Sequence, residues 1–310
     1  MRTWNERYLM GIPDLDQDHQ RLFKICERII NRVREKGEDE ATRMFLLREG
    51  VHFLQGYFAH HSAREEAYML KIGYADYALH KSLHDDFNEL LESRYEAMVK
   101  NGQCSHRDIL DFVGTGIGWL LDHVATADMA IVGKGILREK AEERSGSYII
   151  RQDVLEKELN HLFTATLNIE VNARIINPHY AGERFGKAIF QRILYERENR
   201  DILVVSGIER SFVLDIAKDL YGESAEDEVD LVLSTVKTFG SQFWSTLFYQ
   251  LTEDKIPIHV KDSQYLMEGE VAAEIEKIRP TCSMLFRSDK GMFFLSCNSE
   301  RLFMHPKINS

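Results

Sequence analysis

A chain of 310 residues, 44% of them hydrophobic, is long enough for two domains of ordinary size, each with a buried core. Its formal charge of -11 works against nucleic acid or an anionic membrane surface as a partner. No apolar run approaches the ~20 residues of a membrane helix, no apolar signal segment opens the chain, and the four cysteines (Cys26, Cys104, Cys282, Cys297) show no C-x-x-C pairing. A cytoplasmic protein with structural thiols is expected.

Residues 1–135 read as four helices. Trp4, Tyr8, Gly11, Ile12 and Pro13 suggest an ordered arm, and Asp14 or Asp16 opens the first helix. Leu15, Leu22, Ile25, Ile29, Ile30 and Val33 then recur with helical spacing until Gly37. A second pattern starts near Glu40, passes Phe45, Val51, Leu54, Phe58 and Met69, and stops at Gly73. The third spans roughly residues 74–100, before the turn dipeptide Asn101-Gly102. The fourth runs from about 107 to 132 and ends at Gly133. Short connections between four helices predict an antiparallel up-down bundle.

Ligand-type side chains recur on these helices. His19 lies on the first, His61 and Glu65 on the second, His80 and His84 on the third, His123 and Asp128 on the fourth. Residues four apart share a helix face, so His61/Glu65 and His80/His84 each form a chelating pair. His123 and Asp128 are five apart; they converge only through side-chain reach or a local distortion of the helix. Imidazole with carboxylate suits iron, zinc or manganese. Seven ligands are too many for one tetrahedral zinc and suffice for two octahedral ions bridged by two carboxylates. A single helical histidine is usually a surface or core residue, but a ligand set on each of four successive helices is not explained that way. His60 has Arg64, not an acid, at i+4 and receives no ligand role; Asp14, Asp16 and Asp18 read as capping and solvated charge. Gly114, Gly116 and Gly118 weaken the fourth helix locally and point to a close helix–helix approach.

Residues 4–128 resemble a bacterial hemerythrin. The resemblance is carried by Trp4, Gly11-Ile12-Pro13, Leu15-Asp16, His19, Leu22-Phe23, Tyr57, His61, Glu65-Glu66, Met69, His80, His84, Phe87, Trp119-Leu120, His123 and Asp128. It implies a four-helix bundle around a non-haem di-iron centre. His80, His84 and His123 would hold one iron and His19 and His61 the other, with Glu65 and Asp128 bridging. The iron with fewer ligands would keep a position open to O₂. The i,i+5 spacing of His123 and Asp128 is one the family shows. Ser62 departs from the family, which usually has Phe after that histidine, and bears on pocket polarity.

Residues 136–147 read as a linker, charge-rich and then Ser145-Gly146-Ser147. From 148 to 310 helices mix with hairpins, the mark of an α+β domain. Helical signals cover Leu155 to about Asn168, residues 209–221 up to Gly222, and a long acid-led stretch from Ser224 through Trp244 to Leu251. Ile169, Val171, Ile189, Phe190, Ile193 and Leu194 lie in β-rich segments. Further strands are expected at 202–205, 257–261, 283–287 and 292–297, with turns at 198–201 and 289–291.

This half resembles CheX-type chemotaxis phosphatases, through residues 201–206 leading into 209–222, the acid-led helix up to Leu247, and Leu285-Phe286 with Asp289-Lys290-Gly291. The family acts on a response regulator through Glu-x-x-Asn on the long helix and often dimerises through an extended sheet. The equivalent positions are Ser234 and Lys237, which cannot do that work; Glu196 and Asn199, the one Glu-x-x-Asn here, fall at a predicted turn. The domain therefore reads as a catalytically inactive relative used for homodimerisation or partner binding. The leading expectation is an O₂- or redox-sensing di-iron protein with a signalling output module. The alternatives are a response-regulator phosphatase governed by the irons, a di-iron peroxidase or nitric-oxide-handling enzyme, and an O₂ store.

Overall fold

The structure, a computed structural model, describes residues 4–36, 39–101, 105–134, 152–222, 228–251 and 257–299. The expected linker, Cys104, the helix stop Gly37, Gly102 of the turn dipeptide, and Ser224 with the acids Glu226 and Asp227 that lead the long helical stretch lie outside them. The chain divides into two compact units, Met1–Gly135 with Ala217–Gly240, and Ile136–Ile216 with Ser241–Ser310.

The first unit is helical. Helix α1 (Pro13–Lys36) opens on proline, whose missing N–H is no loss at a helix start. The Asp16 carboxylate accepts the N–H groups of Met10 at 2.7 Å and Gly11 at 3.0 Å, which ties the N-terminal arm to the helix. Asp39 caps α2 (Glu40–Ile72) by accepting from Thr42 N–H at 2.8 Å. Gly73 ends it at φ 66°, where a side chain would be strained, and the N–H groups of Gly73 and Tyr74 bond back to Leu70 and Met69. Helix α3 spans Tyr77–Asn101. Ser105 and Asp108 form a reciprocal capping box at the start of α4 (His106–His123).

The expected fourth helix is not uniform. A π-helical turn, Val124–Asp128, follows His123, and α5 (Met129–Ile131) completes the element before Gly133. Bonds from i to i+5 bring residues five apart nearly into line along the axis. The spacing between His123 and Asp128 is thus met by the backbone, one of the two solutions left open above.

Leu22, Cys26 and Ile30 of α1, Leu54 and Phe58 of α2, Phe87 and Leu91 of α3, and Val113, Ile117 and Leu121 of α4 are all buried. A fifth helix joins them unannounced. It is the first part of α8 (Val229–Leu251), up to Gly240. A Cβ on Gly114 would stand 2.8 Å from the Leu231 carbonyl oxygen, and one on Gly118 2.5 Å from that of Thr235. Gly116 faces the other way, with Cys26 and Leu54 side-chain atoms at 3.8 Å. The anticipated close approach is real, and Gly114 and Gly118 make it. Ser234 Oγ donates to the Asp111 carbonyl at 2.6 Å and lies 3.2 Å from Thr115 Oγ1. Arg34 pairs with Glu228, and Arg107 with Asp230 at 3.1 Å.

The second unit holds a six-stranded antiparallel sheet, ordered β1-β5-β6-β3-β2-β4. Its strands are β1 (Arg174–Asn177), β2 (Ala188–Arg197), β3 (Arg200–Glu209), β4 (His259–Leu266), β5 (Cys282–Arg287) and β6 (Met292–Cys297). Glu198 and Asn199, at φ 50° and 59°, make the tight turn between β2 and β3, where Arg197 faces Arg200. Successive residues of β6 face opposite sides of the sheet. Phe293 packs beside Phe163 of α6 (Gln152–Leu167), Phe212 of α7 (Arg210–Tyr221) and Phe286. Phe294 packs with Tyr180, Phe185, Phe190 and the apolar face of α9 (Val271–Ile278). Both faces are covered, which explains the nearly unbroken apolar run of β6. Ile169 and Val171 are buried but lie outside any strand; β4 starts at His259 and continues to Leu266; α9 had no counterpart among the sequence expectations. Among the described residues, no helix is long and apolar enough to cross a membrane.

Candidate metal centre

All seven expected donors meet inside the helical unit. His19 comes from α1, His61 and Glu65 from α2, His80 and His84 from α3, His123 from the end of α4 and Asp128 from the π turn. None is more than 4% exposed. They form two groups, each with its donor atoms within 4.8 Å of one another. One group is Glu65, His80, His84, His123 and Asp128; the other is His19, His61, Glu65 and Asp128. The two carboxylates belong to both.

The distances show convergence. Glu65 Oε2 lies 3.0 Å from His80 Nε2, 3.2 Å from His84 Nε2 and 3.8 Å from His61 Nε2. Asp128 Oδ1 lies 2.9 Å from His123 Nε2 and 3.4 Å from His80 Nε2, while Oδ2 lies 3.1 Å from His19 Nε2. The Nε2 atoms of His84 and His123 are 3.2 Å apart. Several of these buried atoms are close without hydrogen bonding: both Asp128 oxygens, His19 Nε2 and Glu65 Oε1 have no partner. An orphaned buried polar atom costs about 1–3 kcal/mol, so a fold that gathers several of them gains from a cation among them. Neutral imidazoles and two anionic carboxylates are a fitting donor set for first-row divalent metals.

Electrostatics agrees. Burial and mutual repulsion both oppose charge on Glu65 and Asp128, yet the imidazoles around them hold both carboxyls well below their ordinary range. Burial pushes His61 and His123 down to about 4, which keeps them as neutral donors. His84 goes the other way: burial opposes its charge, but contact with Glu65 and Glu66 outweighs that and raises it to about 9. The centre is thus a pair of buried anions calling for compensating positive charge.

An aromatic wall closes one side. Trp119 stacks on His123 and on Phe87 with centroids 4.0 Å away in each case, and Phe58 stands edge-on to His84, Phe87 and Trp119. Ser62, next to the ligand His61 on α2, is buried, and its hydroxyl has no hydrogen-bond partner.

Sequence reasoning missed an outer layer of the site. Asp18, expected to be solvated, is fully buried. It accepts the Tyr57 O–H at 2.6 Å and pairs with Arg64 at 3.1 Å. Glu66 lies 3.4 Å from His84 Nδ1. The available signal was the position of Asp18 one residue before a ligand, and it was masked by the acids that surround it at the helix start. His60, which received no ligand role, is exposed.

A helical bundle enclosing a cation site of histidines and shared carboxylates is the class that fold and site define. Residues 10–134 match the Hemerythrin HHE cation binding domain family, and the N-terminal region of the chain carries that domain. A bacteriohemerythrin from Clostridium acetobutylicum is 28% identical over 129 residues, which is 41% of this chain and 96% of that protein. A crystal structure of a presumed chemotaxis protein from Desulfovibrio vulgaris Hildenborough covers 46% of this chain and 92% of its own, at 9% identity and a TM-score of 0.33. A likeness at that level carries no argument about the second unit.

Proposed function

We propose that the N-terminal bundle holds two iron ions and binds O₂. His80, His84 and His123 would hold one iron and His19 and His61 the other, with Glu65 and Asp128 belonging to both donor groups. The observation that carries this reading is the pair of donor groups with two carboxylates in common. When bound, a di-iron pair would supply the electrons for O₂ binding. The chain supplies the rest. Two ionised carboxylates offset part of the cations' charge, five imidazoles donate nitrogen lone pairs, and Phe58 and Trp119, backed by Phe87, keep bulk water from the histidines they contact. Metal content and ultraviolet–visible spectra test it. Two irons per chain and an absorption change on exposing reduced protein to air, reversed under argon, are expected. Fewer than two metals, or a spectrum indifferent to O₂, would sink the reading.

Sensing rather than storage is favoured by the long helix α8. Its first part packs against Gly114 and Gly118 of α4, the helix that also presents His123, and the same helix continues into the residues of the second unit. The second unit then acts as a cytoplasmic output or homodimerisation module resembling CheX, with a response regulator as its candidate partner. Its phosphatase role is lost in this reading, because Ser234 is buried and its hydroxyl is spent on the Asp111 carbonyl. Glu196 is no substitute, since it pairs with Lys261 at the end of β2. Partner capture by deoxy and oxygenated protein decides the point; equal affinity leaves an O₂ store.

A further inference from the structure

We propose that Asp18 and Glu66 are positioning residues, each backing one histidine of one donor group. Each thereby sets the hold on one metal ion independently of the other. The inference rests on the two-metal reading above and goes on to assign roles outside its seven donors.

The two half-sites are built alike. In the smaller group, Asp18 Oδ2 lies 3.9 Å from His61 Nδ1, on the side of the ring away from Nε2 and the shared carboxylates. In the larger group, Glu66 Oε1 lies 3.4 Å from His84 Nδ1, while His84 Nε2 faces Glu65. A tyrosine holds each outer acid. Tyr57 donates to Asp18 Oδ1 at 2.6 Å, and Tyr77 donates to Glu66 Oε2 at 3.4 Å. His61 belongs only to the first group and His84 only to the second. A carboxylate behind a ligand imidazole accepts its other N–H, fixes the tautomer and the ring orientation, and makes the metal-facing nitrogen a better donor. The 3.9 Å separation at His61 exceeds a hydrogen bond; a small ring rotation would close it, and His61 Nδ1 is buried with no other hydrogen-bond partner to oppose that rotation.

A bland explanation competes for Asp18. It joins α1 to α2 through Tyr57 and Arg64, so its burial could serve the bundle alone. The two explanations part over selectivity. A structural tie loosens the whole site, whereas a positioning residue loosens one ion.

The test uses the full chain loaded anaerobically with Fe(II) and measures ion release to a chelator. Wild-type protein is expected to release two ions per chain. Asp18→Ala should speed the release of one ion by about 10–100-fold and leave the other unchanged. Glu66→Ala should do the same to the second ion, and the double variant to both. Asp18→Asn keeps a neutral acceptor and should recover much of the loss. Tyr57→Phe, which leaves every ligand and both acids intact, should give a smaller effect on the same ion as Asp18→Ala and covers the case in which that variant fails to fold. In a His61→Ala background, Asp18→Ala should add nothing. Equal acceleration of both ions, or a persisting Asp18 effect without His61, overturns the assignment. A wild-type chain holding fewer than two ions overturns the two-metal reading first, and this inference with it.

Discussion

Gly118 sits so close under Thr235 that a Cβ added to it would stand 2.5 Å from the Thr235 carbonyl oxygen and 2.9 Å from the Phe239 nitrogen. Backbone atoms cannot yield as a flexible side chain can. Gly118→Ala should therefore destabilise the protein by about 1–3 kcal/mol despite alanine's better helix propensity. Gly116→Ala, two residues away, meets nothing nearer than 3.8 Å and should gain up to ~1 kcal/mol. Denaturant midpoints of the two variants should move in opposite directions.

The two-group geometry predicts unequal losses among the ligands. Glu65 belongs to both groups and His61 to one. Glu65→Ala should reduce loading at both positions, whereas His61→Ala should leave close to one metal per chain. Metal analysis of the two proteins separates these outcomes, and equal stoichiometry would contradict the shared-carboxylate arrangement.

Trp119 is buried between His123 and Phe87. Trp119→Ala removes that stack and opens a cavity, at a cost of about 3–5 kcal/mol. Trp119→Phe keeps an aromatic face against His123 and should cost less. Thermal unfolding of the metal-free proteins measures the order, which should be wild type, then Phe, then Ala.

The metal-free protein should have a stability maximum near pH 6.5. His61 and His123 have folded values near 4, below the ordinary 6.5, so their unfolded forms take up protons first. Stability falls as pH drops from about 6.5 toward 4. Glu65 and Asp128, held below the ordinary carboxylate range, deepen the loss at still lower pH. His84, raised to about 9, contributes fully below 6.5 and loses that contribution as pH rises from 6.5 to about 9. Melting temperatures of chelator-treated protein at pH 4.5, 6.5 and 9 test the shape; a flat profile would contradict it.

What the sequence revealed and what it hid follow from the range of each interaction. His61 with Glu65, and His80 with His84, are local helix geometry, so their spacing carries the chemistry openly. The helix stops at Gly73 and Gly133 and the Glu198-Asn199 turn were legible for the same reason. The π turn was legible only as a misfit between His123 and Asp128, because spacing does not say which of two remedies the backbone takes. The partner of Gly114 and Gly118 was not legible at all: Leu231 and Thr235 lie more than a hundred positions away along the chain. Asp18 was hidden by its neighbours, since one acid among three at a helix start looks like a cap. Helix α9 is only 8 residues long, too short for its apolar spacing to set it apart from a loop between strands.

The π turn also restricts how this chain can change by loss or gain of residues. Winding residues 124–128 as regular α-helix with the sequence unchanged would relieve the local irregularity, yet it would turn Asp128, five positions from His123, about 140° off that face and away from both clusters of imidazoles. Tightening the backbone and keeping the metals are opposed outcomes at this one place. A single-codon deletion between the two, which sets the acid four positions from His123 on a regular rod, should by contrast keep the cargo.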